Sequence, residues 1–257
     1  MHYLVRYGEI GLKGLNRPFF ENKLVSNIRA ICGEKIEIKK IRGRIIICSE
    51  ADISESLKKV FGIVSFSAAE KADFESLNEK VLGLVGNKNF ETFRVTANRI
   101  NKDFPKTSDE INREIGALVA ERMGKKVSLK NFDLNIQIEI IDSAYVFFEK
   151  VECFGGLPVS TEGRAVVLIE TEKGIEAAKR VMKRGCDVIP VAFSDFDISE
   201  INELLPRKKE LKIIKHQNEI EQIAKEADAR VLVVEDTFNN LKEYNVGIAV
   251  LRPMAFG

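Results

Sequence analysis

The stretch VVLIETEKGIEAAKRVMKRG (Val166–Gly185) is where this 257-residue chain would handle a phosphate, if it handles one anywhere. It reads as a buried strand, a tight turn and a helix, a junction that in ATP-spending enzymes carries small residues shaped around phosphate. Such a loop works because glycines let backbone N–H groups approach the oxygens, and the helix N-terminus adds partial positive charge. Here the turn is Glu170-Thr171-Glu172-Lys173-Gly174, with two carboxylates and one glycine. Two like unit charges about 4 Å apart repel by roughly 4 kcal/mol at an effective dielectric of about 20. Glutamate in a first helical turn is favourable there without any anion. Lys173 offsets one carboxylate but does not replace the cradle. We expect no nucleotide at this turn.

Other reactive side chains are scattered. Cys32, Cys48, Cys153 and Cys186 form no CxxC pair and read as small core residues in a reducing compartment. Cys186 begins a buried strand, whereas Cys153, just before Phe154-Gly155-Gly156, stays open as a functional thiol. His2 and His216 have no carboxylate or cysteine at ligand spacing. Glu170 and Glu172 make a poor magnesium pair, since nothing nearby supplies further ligands. No catalytic residue, metal ligand or bound cofactor is assigned.

Positive charge, in contrast, is concentrated. The net charge is +1, yet residues 1–50 hold ten Lys/Arg against five Asp/Glu, and residues 85–130 hold ten against six. A polyanion is held by Lys and Arg spaced along a surface, helped by backbone amides and helix N-termini. The first candidates are Lys13, Asn16 and Arg17, before and within the start of a helix; Asn16 also suits a capping role. The next are Arg99, Lys102 and Lys106, interrupted by Phe104-Pro105. Phe104 can stack on a splayed base or staple itself to the following helix, and both readings stay open. Arg113 lies on that helix, where a solvated face explains it equally well.

The elements that would position these residues fall into three segments. Residues 1–70 read as βαββαβ, a ferredoxin-like order. Its strands are expected at Tyr3–Tyr7, Lys35–Ile41, Arg44–Ser49 and Ile63–Ala69. Its first helix is capped by Asn16 and buries Phe20, Leu24, Ile28 and Ile31. Its second opens on an Asp52/Glu55 capping box and runs to Lys59. Residues 71–162 begin with a helix over Phe74–Val85 and continue with the strand ETFRVTA. A helix opened by a Thr107/Glu110 box follows, then the strands KVSL, NIQIEII and AYVFFEKVE. FGGLPVSTEG (Phe154–Gly163) has the Gly, Pro and Ser content of a linker or hinge. From residue 163 to 257, short apolar runs alternate with helical segments. That pattern implies a small three-layer α/β domain with a mostly parallel sheet. With 45% hydrophobic residues the chain can bury substantial cores. No apolar run approaches the roughly 18 residues of a membrane span, and MHYLVRYGEIG lacks the layout of a secretion signal. A cytoplasmic location without a membrane partner is expected.

YGEIGLKGLNRPFF (Tyr7–Phe20) resembles the opening signature of the tRNA 4-thiouridine synthetases, or tRNA sulfurtransferases. FRVTANRINKDFP, REIGALV, DLNIQIEI and FGGLPVSTEGRAVVLI follow in that family's order, and residues 71–162 resemble its THUMP module. The likeness continues faintly through Lys183-Arg184-Gly185 and Val250–Pro253, landmarks of the family's ATP-pyrophosphatase (PP-loop) domain. Between them the sequence departs. Glu170–Gly174 stands where the family has Ser-Gly-Gly-Ile-Asp-Ser, and Glu235–Asn240 stands where it has Gly-Glu-Ser-Leu-Gly-Gln. The spacing is shortened, and no sulfur-carrying domain is expected after Gly257. The resemblance implies a tRNA-binding protein gripping the 3′ acceptor end, with a degenerate PP-loop-like domain unable to adenylate tRNA by itself. The alternative is an ATP-dependent sulfurtransferase acting with a partner, so its standing as an enzyme is open. A separate enzyme to which the tRNA is presented is a further expected partner, and the resemblance implies a homodimer.

Overall fold

The computed structural model describes residues 1–41 and 43–255; Arg42 of the expected Arg42-Gly43 turn, Phe256 and Gly257 lie outside them. The first six elements follow the expected βαββαβ order: β1 (His2–Arg6), α1 (Arg17–Cys32), β2 (Glu37–Ile41), β3 (Arg44–Cys48), α2 (Ser54–Lys58) and β4 (Ser65–Ala72). Then come α3 (Leu77–Val85), β5 (Thr92–Arg99), α4 (Ser108–Met123), β6 (Lys126–Val127), β7 (Leu134–Ile140), β8 (Ala144–Phe147) and β9 (Val151–Glu152). The last third holds β10 (Arg164–Leu168), α5 (Glu172–Lys183), β11 (Asp187–Ala192), α6 (Ser199–Leu204), β12 (Lys212–Ile213), α7 (Glu219–Glu226), β13 (Val231–Val233) and β14 (Ala249–Leu251).

Two compact units emerge. One comprises Met1–Leu4, Ile46–Ala51 and Phe66–Val151, the other Val5–Ile45, Asp52–Ser65 and Glu152–Gly257. In the first, strands stand in the order β3-β1-β4-β8-β7-β5-β6. β5 runs parallel to β7 from Phe93↔Leu134 to Arg99↔Ile140, while β7 and β8 are antiparallel. Phe93 and Val95 of β5 and Ile136, Ile138 and Ile140 of β7 point into one core, which Ile111, Ile115 and Val119 of α4 cover. That i, i+4, i+8 spacing gives α4 a single apolar face. Its start is the expected capping box, with Thr107 and Glu110 bonding each other reciprocally, and its end is left-handed Gly124.

In the second unit the sheet is five-stranded and parallel throughout, in the order β12-β11-β10-β13-β14. Alternation sorts its two faces. Ala165, Val167 and Ile169 pack with α5 and α6, whereas Val166 and Leu168 pack with Ile220 and Ala224 of α7. This is the three-layer arrangement expected, with Phe61 and Val159 completing the α5 side.

Several local expectations need correction. Asn16 occupies the cap position of α1, but its side chain makes no capping bond. Two 3-10 turns, Glu9–Leu12 and Gly14–Asn16, already lead the chain into helical geometry. The Asp52/Glu55 box does not form. Asp52 instead accepts from the Ser54 amide at 2.9 Å, a short turn, and Glu55 pairs with Lys58. The run AYVFFEKVE breaks into β8 and β9, and β4 is shifted to Ser65–Ala72.

The largest correction concerns Phe154–Gly163. Gly155, Gly156, Leu157, Pro158 and Val159 are all buried. Gly155 donates to Ile63 and accepts from Gly62, and Leu157 donates to Lys183, at 2.8–2.9 Å. The segment is a packed strap, neither linker nor hinge. Gly156 has φ +73°, and a Cβ there would lie 2.1 Å from the Lys183 carbonyl oxygen. Gly156→Ala should therefore destabilise the protein by more than the roughly 1–3 kcal/mol of a strained backbone alone, read as a lowered Tm.

Candidate functional site

In the second unit, the Tyr7–Phe20 signature closes on itself. Arg17, in the first turn of α1, donates to Glu21 at 2.6 Å and to the Tyr7 hydroxyl at 2.6 Å, and the Tyr7 hydroxyl donates to Glu21. The Gly43 amide adds a bond to the same hydroxyl at 3.2 Å. Burial alone would raise the Glu21 carboxyl, but the bonds from Tyr7 and Arg17 outweigh it and hold it below the ordinary carboxylate range. Lys13 pairs with Glu162 at 3.1 Å and lies over the Phe20 ring, while Glu9 meets Arg184 at 3.4 Å. Lys13 and Arg17 thus spend their charge within the protein, and Asn16 is exposed.

In the first unit, the loop between β5 and α4 is organised by Arg99. Its guanidinium donates to the carbonyls of Phe104 at 2.8 Å and Lys106 at 3.4 Å. Lys106 pairs with Glu114. The half-buried Phe104 ring lies 4.6 Å from that of Phe74, tilted by 48°, so part of its face is already stacked. Lys102 and Arg113 are exposed, and neither makes an ion pair among the described residues. Of the eight sequence candidates, these two cations project freely, while Arg99, Lys106 and Phe104 shape the loop that presents Lys102.

The turn after β10 carries the most decisive geometry. Glu235, just beyond β13, places Oε2 at 2.9 Å from the Thr171 amide and 3.3 Å from the Glu170 amide; its Oε1 accepts from the Thr171 hydroxyl at 2.9 Å. Thr171 caps α5 by accepting from the Lys173 amide at 3.1 Å. The donors that would meet a phosphate here are held by the protein's own carboxylate and hydroxyl. Around them, Glu170 pairs with Lys242 at 2.6 Å. Asp236, only 2% exposed, accepts from the Lys242 amide, the Tyr244 hydroxyl and Arg252 at 2.8–3.1 Å. Burial, then the bond to Asp236, pushes the Tyr244 hydroxyl above its ordinary range. The remaining cavity is about 210 Å³, lined by Thr171, Lys173, Glu235, Asp236, Thr237, Asn240 and Lys242. Sequence reasoning did not reveal the carboxylate at this turn: Glu235 lies 64 residues from Thr171, and the pairing of β10 with β13 brings them together.

Residues 2–67 match the ThiI ferredoxin-like domain family, and residues 71–149 match the THUMP domain family. The whole chain superposes on the crystal structure of PH1313 from Pyrococcus horikoshii with a TM-score of 0.86, at 31% identity, over 95% of that chain. A crystal structure of a 4-thiouridine synthetase–RNA complex with bound ATP gives a TM-score of 0.80 at 26% identity, over 99% of this chain and 81% of that one. A probable tRNA sulfurtransferase of Thermococcus kodakarensis is 36% identical across 86% of this chain, and one of Thermoanaerobacter is 39% identical across 74%.

The chain carries the ThiI ferredoxin-like and THUMP domains and is a homologue of the tRNA sulfurtransferases.

It spans 65% and 52% of the lengths of those two curated relatives. Among its thiols, burial raises Cys32 to about 12 and Cys153, aided by the Glu152 carboxylate, to about 11; burial also raises Cys186. A thiol so raised is not a thiolate nucleophile near neutral pH. We expect iodoacetamide to label these three slowly at pH 8 in the native protein and rapidly once it is unfolded, followed by mass spectrometry. Glu21→Gln should cost about 1–2 kcal/mol at pH 7. Because the folded carboxyl lies below its unfolded value, its stabilisation is complete above the unfolded value and is lost as pH falls through the folded one. The gap between variant and native protein in denaturant titrations should accordingly close under acid conditions.

Proposed function

We propose that this homologue binds tRNA and does not adenylate it unaided. The observation that carries the second half is Glu235 on the Glu170 and Thr171 amides. A triphosphate would have to displace one carboxylate and face those of Glu170 and Glu172, in a cavity smaller than the roughly 300–1,000 Å³ of small-molecule sites. The residues present do not fit ATP, and we derive no step through it.

The RNA half rests on the THUMP match and on the RNA held by the similar 4-thiouridine synthetase. In this reading residues 1–70, 71–162 and 163–257 are three inherited domains, working in the cytoplasm. Lys102 and Arg113 contact phosphates, Arg99, Lys106 and Phe104 position that loop, and the acceptor end of tRNA is the segment gripped. Lys13, Asn16 and Arg17 shape the N-terminal surface. A second reading, favoured by the names of the curated relatives, keeps the chain as the ATP-dependent sulfurtransferase completed by a partner enzyme.

Mixing the purified protein with tRNA and labelled ATP, and scoring retention of each separately, tests both halves. We expect tRNA to be retained, with an affinity that falls steeply with salt, and ATP to be lost. Lys102→Ala with Arg113→Ala should lower the slope of log affinity against log salt by about 0.7–0.9 per cation. Retained ATP with tRNA-dependent pyrophosphate release would favour the second reading. Failure to hold tRNA at low salt would sink the first.

A further inference from the structure

A large cavity in the second unit lies at the opposite end of the parallel sheet from the Glu170–Gly174 turn. It is an open groove of about 950 Å³ between α1 and the starts of β10 and β11. One wall is the face of α1 bearing Lys23, Ser26 and Arg29; the other carries Arg164, Arg207 and Lys209. Ligands of α/β sheets ordinarily sit beyond the C-terminal strand ends, so this groove is not the inherited nucleotide crevice.

Its charge is positive and part of it is unspent. Asp187 is satisfied by Lys209 at 2.8 Å, and Arg164 is steered by the Ala227 carbonyl at 2.8 Å. Glu34 and Asp228 are the other acids that line it, against five cations. The side chains of Lys23 and Arg207 make no hydrogen bond or ion pair among the described residues, and Arg207 is exposed. The backbone is strained at this place too. Ser160 and Asp228 are the non-glycine residues with positive φ among those described, +68° and +51°, and both line the groove. Such conformations cluster at ligand sites. One turn before Lys23 on the same face of α1, just outside the residues that line the groove, Phe19 is 54% exposed and meets Phe20 edge-on. A cationic groove with an aromatic platform at its end suits a phosphodiester strand, whose charges pair with Lys and Arg while a base stacks on the ring.

We propose that this groove is a second track for RNA, in which Lys23 and Arg207 hold phosphates and Phe19 stacks a base. The inference rests on the tRNA-binding reading above and adds a contact surface that reading does not contain. The test uses the full chain and a tRNA transcript, with affinity measured across a salt series. Lys23→Glu with Arg207→Glu should lower the slope of log affinity against log salt by about 1.4–1.8, and Phe19→Ala should weaken binding with the slope unchanged. Lys183→Glu with Lys225→Glu, an equal charge change outside the groove, should leave the slope as it was; thermal unfolding shows that each variant is folded. If both double variants shift the slope equally, or neither does, the track is wrong while tRNA binding stands. If the native chain ignores tRNA, both inferences fall together.

Discussion

A carboxylate lying on the backbone amides that open a helix is the contact around which the last third of this chain is arranged. Glu235 satisfies the Glu170 and Thr171 amides and the Thr171 hydroxyl, donors that a helix N-terminus otherwise offers to an anion. Holding Glu235 there brings the following residues down over the turn. Asp236 is buried next to it and needs partners, because an unpaired buried carboxylate costs several kcal/mol; Tyr244, Arg252 and the Lys242 amide supply them. Lys242 then reaches Glu170, and Arg180 of α5 donates to the Pro253 carbonyl. The Val250–Pro253 landmark is thereby tied to the turn by internal bonds.

The same economy of charge governs the N-terminal signature. Tyr7, Arg17 and Glu21 form one network, Lys13 meets Glu162, and Glu9 meets Arg184. Basic residues that look like an anion site in the sequence are here the internal partners of acidic ones. Among the described residues, exposed cations without an ion pair include Lys102 and Arg113 in one unit and Arg207 in the other. If the chain grips RNA as we propose, its family signature acts by fixing backbone geometry more than by touching phosphate.

Where local physics was sufficient, the sequence was readable. The Thr107/Glu110 box formed because both partners lie within one turn and nothing else competes for them. The alternating apolar runs from Ala165 to Leu251 became parallel strands because a sheet covered on both faces admits little else. Asn16 and Asp52 failed as caps because neighbouring turns had already set the backbone. The Gly-Pro-Ser composition of Phe154–Gly163 suggested freedom, but those residues are small so that the strap can pack against Gly62 and the end of α5.

Residue order alone determined the βαββαβ start and the three-layer end, which rest on periodicity, and the motifs that carry the resemblance of the middle segment to a THUMP module. Tertiary structure decided which cations remain unpaired, that Glu235 fills the turn, and that a basic groove lies at the far end of the sheet. The last two join residues tens of positions apart, through strand pairings and packing that no local pattern encodes.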